Sequence, residues 1–176
     1  VLPGVKAIAL APDRDGIRQI TRAIQAHPNL STLHIISHGF PGGLSLGNRR
    51  LDLDTLDEYA ALLKRWSCDR IFLYGCNVAA GDAGSEFVEK LHRLTGAEIA
   101  ASATRTGTAA LGGDWKLDVT TGDFELDLAI DEKAIAAYPH VFPTFDWQVY
   151  DWPEGQLGLE TFADVDGSGI DVEMDI

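Results

Sequence analysis

The sequence predicts an α/β fold in which a mainly parallel sheet lies between layers of helices. Short apolar runs alternate with helical patterns of about a dozen residues, which is typical of strands joined by right-handed helical crossovers. These runs are continuous rather than alternating, as expected of strands that are buried on both faces. We therefore expect a three-layer α/β/α sandwich, followed by a C-terminal β segment.

Four apolar runs are expected to form the strands of this sheet. They are residues 5–10, 33–37, 70–74 and 98–102. The first three are closed by a proline or a glycine within two residues, which is a common end signal for a strand.

Three helices are expected between these strands. They cover residues 16–26, about 54–66 and about 85–95. In the first, Ile17, Ile20 and Ile24 follow the spacing of one helix face. Asp54 is expected to cap the second helix, and Gly96 to stop the third.

Two short antiparallel pairs complete the expected elements. Residues 42–51 combine glycines with alternating leucines, which predicts a small hairpin. Residues 115–119 and 124–128 alternate apolar and polar side chains around Thr121 and Gly122, which predicts a second pair.

Charge and composition bound the function and divide the chain. The 176 residues are 45% hydrophobic and carry a net charge of −13, with 27 acidic and 14 basic residues. Such an acidic surface repels the phosphate backbone, so we expect no binding to nucleic acid. No apolar stretch is long enough to span a membrane. Residues 146–176 hold nine acids and no Lys or Arg, so we expect a domain over residues 1–142 and an acidic β-rich tail over 143–176.

Polar residues follow the predicted strands at the edge where open α/β sheets build their sites. They are Asp13, His38 with Gly39, Gly75 with Cys76 and Asn77, and Ser102. A histidine and a cysteine are thus expected together at one edge of the sheet.

The pair His38 and Cys76 can perform nucleophilic catalysis. A Cys thiolate attacks carbonyl carbons, and His38 can accept its proton and later protonate the leaving amine. The amides of Gly39 and Cys76 are natural donors to an oxyanion. The alternative is structural: Cys is among the most buried residue types, and a strand-end His is often a satisfied polar group.

The other cysteine and histidines do not extend this pair. Cys68 precedes the strand that Cys76 follows, a separation of about 26 Å at ~3.3 Å per residue, so a disulfide between them is excluded. His34 and His38 are about 13 Å apart on a strand, too far to share a metal, and His34 is expected to be structural.

Several motifs occur in order along residues 1–128. They are Ile36-Ser-His-Gly39 with Pro41-Gly42, Leu46-Gly47, Leu73-Tyr-Gly-Cys-Asn-Val-Ala79, Thr95-Gly-Ala97, Ala101-Ser102, Thr106-Gly107 and Gly112-Gly-Asp-Trp115. With these motifs the sequence resembles a bacterial family of domains of unknown function that lies near the N-terminus of very large, adhesin-like surface or secreted repeat proteins. The family normally has a strand before the one expected at residues 5–10, so we expect this chain to lack part of the sheet.

This family is in turn similar to the caspase-like cysteine peptidases. The resemblance implies a caspase-like fold, Cys76 as the nucleophile, His38 as its base and Gly39 as an oxyanion amide. From their place at the strand ends, Gly75, Asn77, Ser102 and Asp13 are expected to contribute to the oxyanion or substrate site. It implies a peptide or protein substrate, which includes the parent chain, no required cofactor, and a place outside the cell or on its surface. Asp13, Arg14 and Arg105 stay open as specificity residues. The alternative function is a non-catalytic interaction or capping domain.

The acidic tail contains a candidate calcium site. Asp164, Asp166 and Ser168 fit the first three ligand positions of an EF-hand loop. Residues 170–176, however, alternate apolar and acidic side chains, which favours a turn followed by a strand, as at the start of a β-sandwich module. Calcium binding is the alternative to that interpretation.

Overall fold

The computed structural model describes residues 5–126, 129–130, 132–142 and 161–165. The strands of this part of the chain are β1 (Val5–Ala9), β2 (Thr32–Ile36), β3 (Gly39–Phe40), β4 (Gly43–Leu46), β5 (Arg49–Asp52), β6 (Arg70–Tyr74), β7 (Glu98–Ala101), β8 (Val119–Thr120) and β9 (Thr161–Val165). Its helices are α1 (Gly16–Ala26), α2 (Leu56–Leu63), α3 (Gly81–Thr95) and α4 (Glu132–Ala137).

The main sheet has the strand order β1-β9-β2-β6-β7-β8. Strands β2, β6 and β7 run parallel, β8 is antiparallel to β7, and β9 lies antiparallel between β1 and β2. The predicted α/β class with a mainly parallel sheet is therefore confirmed. Strand β9 comes from the acidic tail, for which the sequence predicted a β segment.

A small antiparallel sheet of β3, β4 and β5 follows β2 directly. It contains the predicted hairpin, with Leu44 opposite Leu51, and adds β3, which pairs Gly39 with Leu44. Leu44, Leu46 and Leu51 are fully buried. This apolar side anchors the small sheet on the core, and it thereby holds the segment that begins at His38 in place.

One face of the main sheet carries the larger core. Side chains alternate along a strand, so Ile71 and Leu73 of β6 point to this face together with Leu33 and Ile35 of β2. Apolar residues of α1, α2 and α3 cover them. Each such fully buried side chain stabilises the fold by about 1.5–3 kcal/mol relative to an exposed one.

Aromatic residues cover the opposite face of the sheet. Phe72 and Tyr74 of β6 and Ile36 of β2 point this way. The side chains packed against them follow β7 in the sequence. They are Trp115, Leu117, Phe124, Ile130 and Phe142. The C-terminal part of the domain thus lies beside the strand that leads to Cys76.

Two helix starts differ from the sequence prediction. Thr55, not Asp54, is the N-cap of α2, because Asp52 accepts a hydrogen bond from the Thr55 amide at 3.0 Å and closes the turn before the helix. Helix α3 starts at Gly81 rather than near Ser85. The glycine at position 84 lies against the backbone of Ala79, a contact that a Cβ atom would prevent.

The sequence predicted that residues 115–119 pair with residues 124–128, and this prediction is wrong for the residues that the structure describes. Val119 and Thr120 form β8 and pair with Ala101 and Ala100 of β7. Beyond them, Thr121 exchanges two further hydrogen bonds with Ile99. Pairing with β7 satisfies backbone groups at that edge of the sheet, which a local hairpin would leave open. Residues 127 and 128 lie outside the described residues.

Among the helices that the structure describes, none has the length and apolar character needed to cross a membrane.

Candidate active site

The ends of β2 and β6 bring His38 and Cys76 to the same level of the sheet. In the parallel register Ile36 lies opposite Tyr74. His38 and Cys76 each follow that pair by two residues. The Ser37 amide donates to the Tyr74 carbonyl at 3.2 Å, so the two strands stay paired up to the turns that carry these side chains.

The two turns touch each other through their glycines. A Cβ atom on Gly39 would lie 2.6 Å from the Gly75 carbonyl carbon and 2.8 Å from the Cys76 nitrogen. A Cβ atom on Gly75 would lie 3.1 Å from the Gly39 Cα. Neither glycine has a positive φ, so close backbone approach is what requires them.

Cys76 is fully buried, with a thiol that contacts two segments later in the chain. Its Sγ donates to the Phe142 carbonyl oxygen at 2.8 Å and accepts from the Thr106 amide at 3.3 Å. Burial raises the pKa of Cys76, while the Thr106 hydrogen bond and the charge of Arg105 oppose that rise. In this arrangement Cys76 is held as the neutral thiol.

His38 is half-buried, and its backbone is fixed by the small sheet. Its carbonyl oxygen accepts from the Ser45 amide at 2.9 Å and from the Ser37 hydroxyl at 3.2 Å. These contacts join the end of β2 to β4. The position of His38 therefore depends on the hairpin as well as on the strand that precedes it.

Asn77 and Ser102 shape the loops around Cys76. Asn77 has a φ of 60°, an unusual conformation for a residue other than glycine, and its amide donates to the Thr104 carbonyl at 2.8 Å. The Ser102 hydroxyl is buried and donates to the same carbonyl at 3.0 Å. Asn77 therefore joins the loop after β7 to the turn that carries Cys76, and Ser102 closes that loop from within.

Asp13 is exposed and lies beside the β4–β5 turn. Its carbonyl oxygen accepts from the Asn48 side chain at 2.7 Å. The exposed Arg105, by contrast, is close enough to affect the pKa of Cys76. Of the three charged residues left open as specificity residues, Arg105 is the one with an interaction that reaches the thiol.

Sequence reasoning did not include Thr106, Tyr138 and Phe142 among the site residues. Thr106 and Phe142 contact the thiol directly, and the charge of Cys76, after burial, raises the pKa of Tyr138. The sequence did contain an indication for Thr106, because Thr106 and Gly107 belong to the motifs that carry the family resemblance. Phe142 had no local signal, because it is 66 residues from Cys76 and only tertiary packing brings it there.

His34 belongs to the aromatic face of the sheet. Its ring is fully buried, 4.8 Å from the Phe72 ring in an edge-on contact and 5.9 Å from the Tyr74 ring in a stacked one. These contacts agree with the structural role that the sequence predicted.

The two cysteines are not joined to each other, and Cys68 packs half-buried against the main core. Cys68 is therefore a packing residue of the core. Cys68 precedes β6 and Cys76 follows it, so the strand itself keeps their sulfur atoms apart.

The candidate calcium residues lie mostly outside the described part of the chain. Asp164 is in β9, opposite Lys6 of β1 and Leu33 of β2, whereas Asp166 and Ser168 are outside it. Within the described ranges, no group of three or more His, Cys, Asp or Glu residues is arranged to hold a metal ion. Calcium binding by the tail stays a prediction.

Comparison with known proteins gives a family and no named function. No curated protein and no solved structure matches the chain. A family model described as "Domain of unknown function (DUF4347)" matches residues 1–142, which include both strand-end turns and Phe142. The chain therefore belongs to the DUF4347 family of domains of unknown function.

Proposed function

We propose that the chain is a cysteine endopeptidase domain with a caspase-like fold, in which Cys76 is the nucleophile and His38 the general base. The observation that carries the proposal is the pairing of β2 with β6, whose common register puts the two residues at one level of the sheet edge. Their glycine neighbours pack backbone to backbone, which joins the two turns that carry these side chains. The third layer of the proposed sandwich is the set of side chains that covers the aromatic face, which includes Trp115, Leu117 and Phe142.

The proposed reaction proceeds through a thioester. His38 takes the thiol proton, the Cys76 sulfur attacks the carbonyl carbon of the substrate, and the amides of Gly39 and Cys76 stabilise the negative oxygen. When the C–N bond breaks, His38 returns the proton to the leaving amine. Water then attacks the thioester with His38 as base, which releases the acid product and restores the thiol. The residues require no cofactor for these steps.

The parent of this domain is proposed to be a large adhesin-like protein that is secreted or held on the cell surface. This context comes from the resemblance of the motifs around His38 and Cys76. In that setting, the peptide substrate includes segments of the parent chain itself.

One observation favours a second function, a non-catalytic interaction or capping domain. Cys76 is fully buried, and its pKa is raised, whereas a working nucleophile needs access and a populated thiolate. In this second function the strand-end turns serve only to pack β2, β6 and the small sheet together.

The two functions are separated by the reactivity of the cysteines as a function of pH. If the peptidase is correct, we expect Cys76 to be alkylated rapidly near neutral pH in the parent protein. In His38→Ala the curve of Cys76 alkylation rate against pH should shift to alkaline pH, because the thiol has lost its base. Cys68 in the same molecule is the internal control, because its profile should be the same in both proteins. A Cys76 profile that does not change in His38→Ala contradicts the peptidase.

A cleavage assay then tests the chemistry itself. A peptide mixture is incubated with the parent protein, Cys76→Ala, His38→Ala and the matched control Cys68→Ala, and products are identified by mass spectrometry. General-base catalysis is typically worth 10²–10⁴-fold, so His38→Ala should lower cleavage by about 100-fold or more, and Cys76→Ala should abolish it. Equal product in the parent and in Cys76→Ala would rule out the proposed nucleophile.

A further inference from the structure

Residues 138–142, here called the strap, run antiparallel to residues 106–108 of the loop after β7 and are held there by main-chain hydrogen bonds. Gly107 is bridged to Val141 in antiparallel fashion. The Thr108 amide donates to the His140 carbonyl at 2.9 Å, and the Phe142 amide donates to the Thr106 carbonyl at 2.9 Å. These are the main-chain bonds by which a sheet edge binds an extended peptide.

The absence of a side chain at Gly107 permits this pairing. A Cβ atom there would lie 2.4 Å from the His140 oxygen and 2.5 Å from the Val141 Cα. The strap therefore runs in direct backbone contact with the edge, closer than any other residue at position 107 would permit.

The strap ends at the thiol. The Phe142 carbonyl oxygen accepts the hydrogen bond from Cys76 at 2.8 Å, and the pKa of Tyr138 is raised by burial and by the Cys76 charge. The Phe142 ring packs 5.6 Å from Trp115 and 5.4 Å from Tyr138, measured between ring centroids. With the strap in place, Cys76 has no exposed surface.

The strap does not lie as a substrate ready for attack. Its Phe142 oxygen is directed at the thiol as a hydrogen-bond acceptor, whereas attack requires the sulfur to approach the carbonyl carbon with the oxygen turned to the amide donors. The next residue is Pro143, so the bond after Phe142 is a tertiary amide with no N–H. The strap resembles a bound inhibitor in these two respects.

Several polar groups beside the strap are buried without a hydrogen-bond partner in the described part of the chain. They are the Tyr74 hydroxyl, the Thr106 hydroxyl and the Trp115 ring N–H. Each such group costs free energy that a better-matched ligand recovers. These groups are therefore donors and acceptors that a competing peptide can bond.

We infer that the edge Thr106–Thr108 is a peptide-binding strand and that the strap occupies it as an intramolecular inhibitor of Cys76. The inferred ligand class is an extended peptide with an aromatic residue beside the thiol, in the place of Phe142. The inference rests on the proposed function for its biological meaning, since a latent thiol matters only where Cys76 is a nucleophile. Displacement of the strap exposes the thiol.

The first test measures the alkylation of Cys76 at one pH, relative to Cys68 in the same molecule. Phe142→Ala and Tyr138→Ala remove rings that hold the strap, and Glu132→Ala, an exposed residue of α4, is the matched control. We expect Cys76 to react at least about tenfold faster in the first two variants, which corresponds to a modest destabilisation of the closed strap. Equal Cys76 rates in all four proteins would overturn the inference.

Competition in trans tests the same edge directly. The synthetic peptide acetyl-Tyr-Pro-His-Val-Phe-amide has the sequence of the strap and is added to Phe142→Ala, with a scrambled peptide as control. We expect the strap peptide alone to slow Cys76 alkylation toward the rate of the parent protein. If neither peptide changes the rate at millimolar concentration, the edge is not a peptide-binding strand.

A third test compares amide hydrogen exchange with Cys76 alkylation in the parent protein. It needs no substitution, so it still applies if a variant fails to fold. The Phe142 and Thr108 amides should exchange through the same opening that admits the alkylating reagent to Cys76, and faster than the Leu73 amide of β6. If Cys76 reacts only as fast as the Leu73 amide exchanges, access requires global unfolding and the strap inference is wrong.

The two proposals fail in different ways. In the double variant Phe142→Ala with His38→Ala, the strap inference predicts faster alkylation of Cys76 than in His38→Ala alone, because access to the thiol does not depend on His38. If Phe142→Ala speeds the alkylation of Cys76 but His38→Ala leaves its pH profile unchanged, the strap inference stands and the peptidase is contradicted. If His38→Ala shifts the pH profile but Phe142→Ala has no effect on the rate, the peptidase stands and the strap inference is contradicted.

Discussion

Two buried tyrosines differ at the residue scale by one hydrogen bond. Tyr59 is 4% exposed, and its hydroxyl donates to Asp15 at 3.1 Å. Tyr74 is 1% exposed, and its hydroxyl has no partner among the described residues. A buried polar group that lacks a partner costs about 1–3 kcal/mol, whereas a satisfied one contributes about 1 kcal/mol. The two hydroxyls thus act on stability in opposite directions.

Replacing each tyrosine by phenylalanine tests this difference. We expect Tyr74→Phe to raise the free energy of unfolding by about 1 kcal/mol, because it removes the unsatisfied hydroxyl and keeps the ring. Tyr59→Phe should lower it by about 1 kcal/mol, because Asp15 loses a donor. Urea denaturation at pH 7 measures both, and a loss of stability in Tyr74→Phe would show that its hydroxyl has an unrecognised partner.

At the scale of elements, the turns after β2 and β6 are held together by backbone contact. Gly39 opens β3 and lies against Gly75 and Cys76 of the other turn. The neighbouring atoms belong to the main chain of a paired strand, so they have little freedom to move. The junction between the main sheet and the small sheet therefore depends on the missing side chain at position 39.

Gly39→Ala is expected to disrupt this junction. Its Cβ would meet main-chain atoms at 2.6 Å and 2.8 Å, and overpacking of this kind costs about 1–3 kcal/mol. Gly122→Ala is the matched control, since its Cβ would meet only the carboxylate end of the Glu98 side chain, at 2.7 Å, and moving that end costs no more than its hydrogen bond from the Thr121 hydroxyl, about 1 kcal/mol. Thermal unfolding should show a clear loss for the first variant and a smaller loss for the second. Equal losses would contradict the contact between the turns.

At the scale of the whole molecule, four acidic protons of the described residues are held more tightly in the folded state than in the unfolded chain. Burial is the main cause in each case, and it raises the pKa of the groups Tyr59, Tyr74, Cys76 and Tyr138. Three of the four lie on or beside the aromatic face that the strap covers. Alkaline pH should therefore act first on this side of the molecule.

The sign of the pH dependence follows from these shifts. Their contribution to stability is complete below the unfolded pKa values, about 8.5 for Cys and about 10 for Tyr, and is lost as pH rises toward the folded values. We expect the free energy of unfolding to fall between pH 8.5 and 11, and to fall less steeply in Tyr74→Phe than in the parent protein. Urea titrations at several pH values measure the slopes. Parallel slopes in the two proteins would mean that Tyr74 titrates normally.

Sequence patterns predicted most of the strands and helices because the spacing of apolar residues follows the local periodicity of each element. Continuous apolar runs identified β2, β6 and β7, and the helical spacing of Ile17, Ile20 and Ile24 identified α1. The pattern over residues 115–128 failed because alternation reports which side chains are buried, but not which strand edge satisfies the backbone. Strand β8 pairs with β7 for that reason.

The sequence by itself determined that His38 and Cys76 follow neighbouring strands, each beside a glycine, because strand ends and turn residues are local signals. Only the tertiary structure decided that Gly39 and Gly75 pack backbone to backbone and that the strap covers the thiol through Phe142. The physical reason is distance along the chain. A contact across 66 residues depends on how the aromatic face packs as a whole, and no short stretch of sequence specifies that packing.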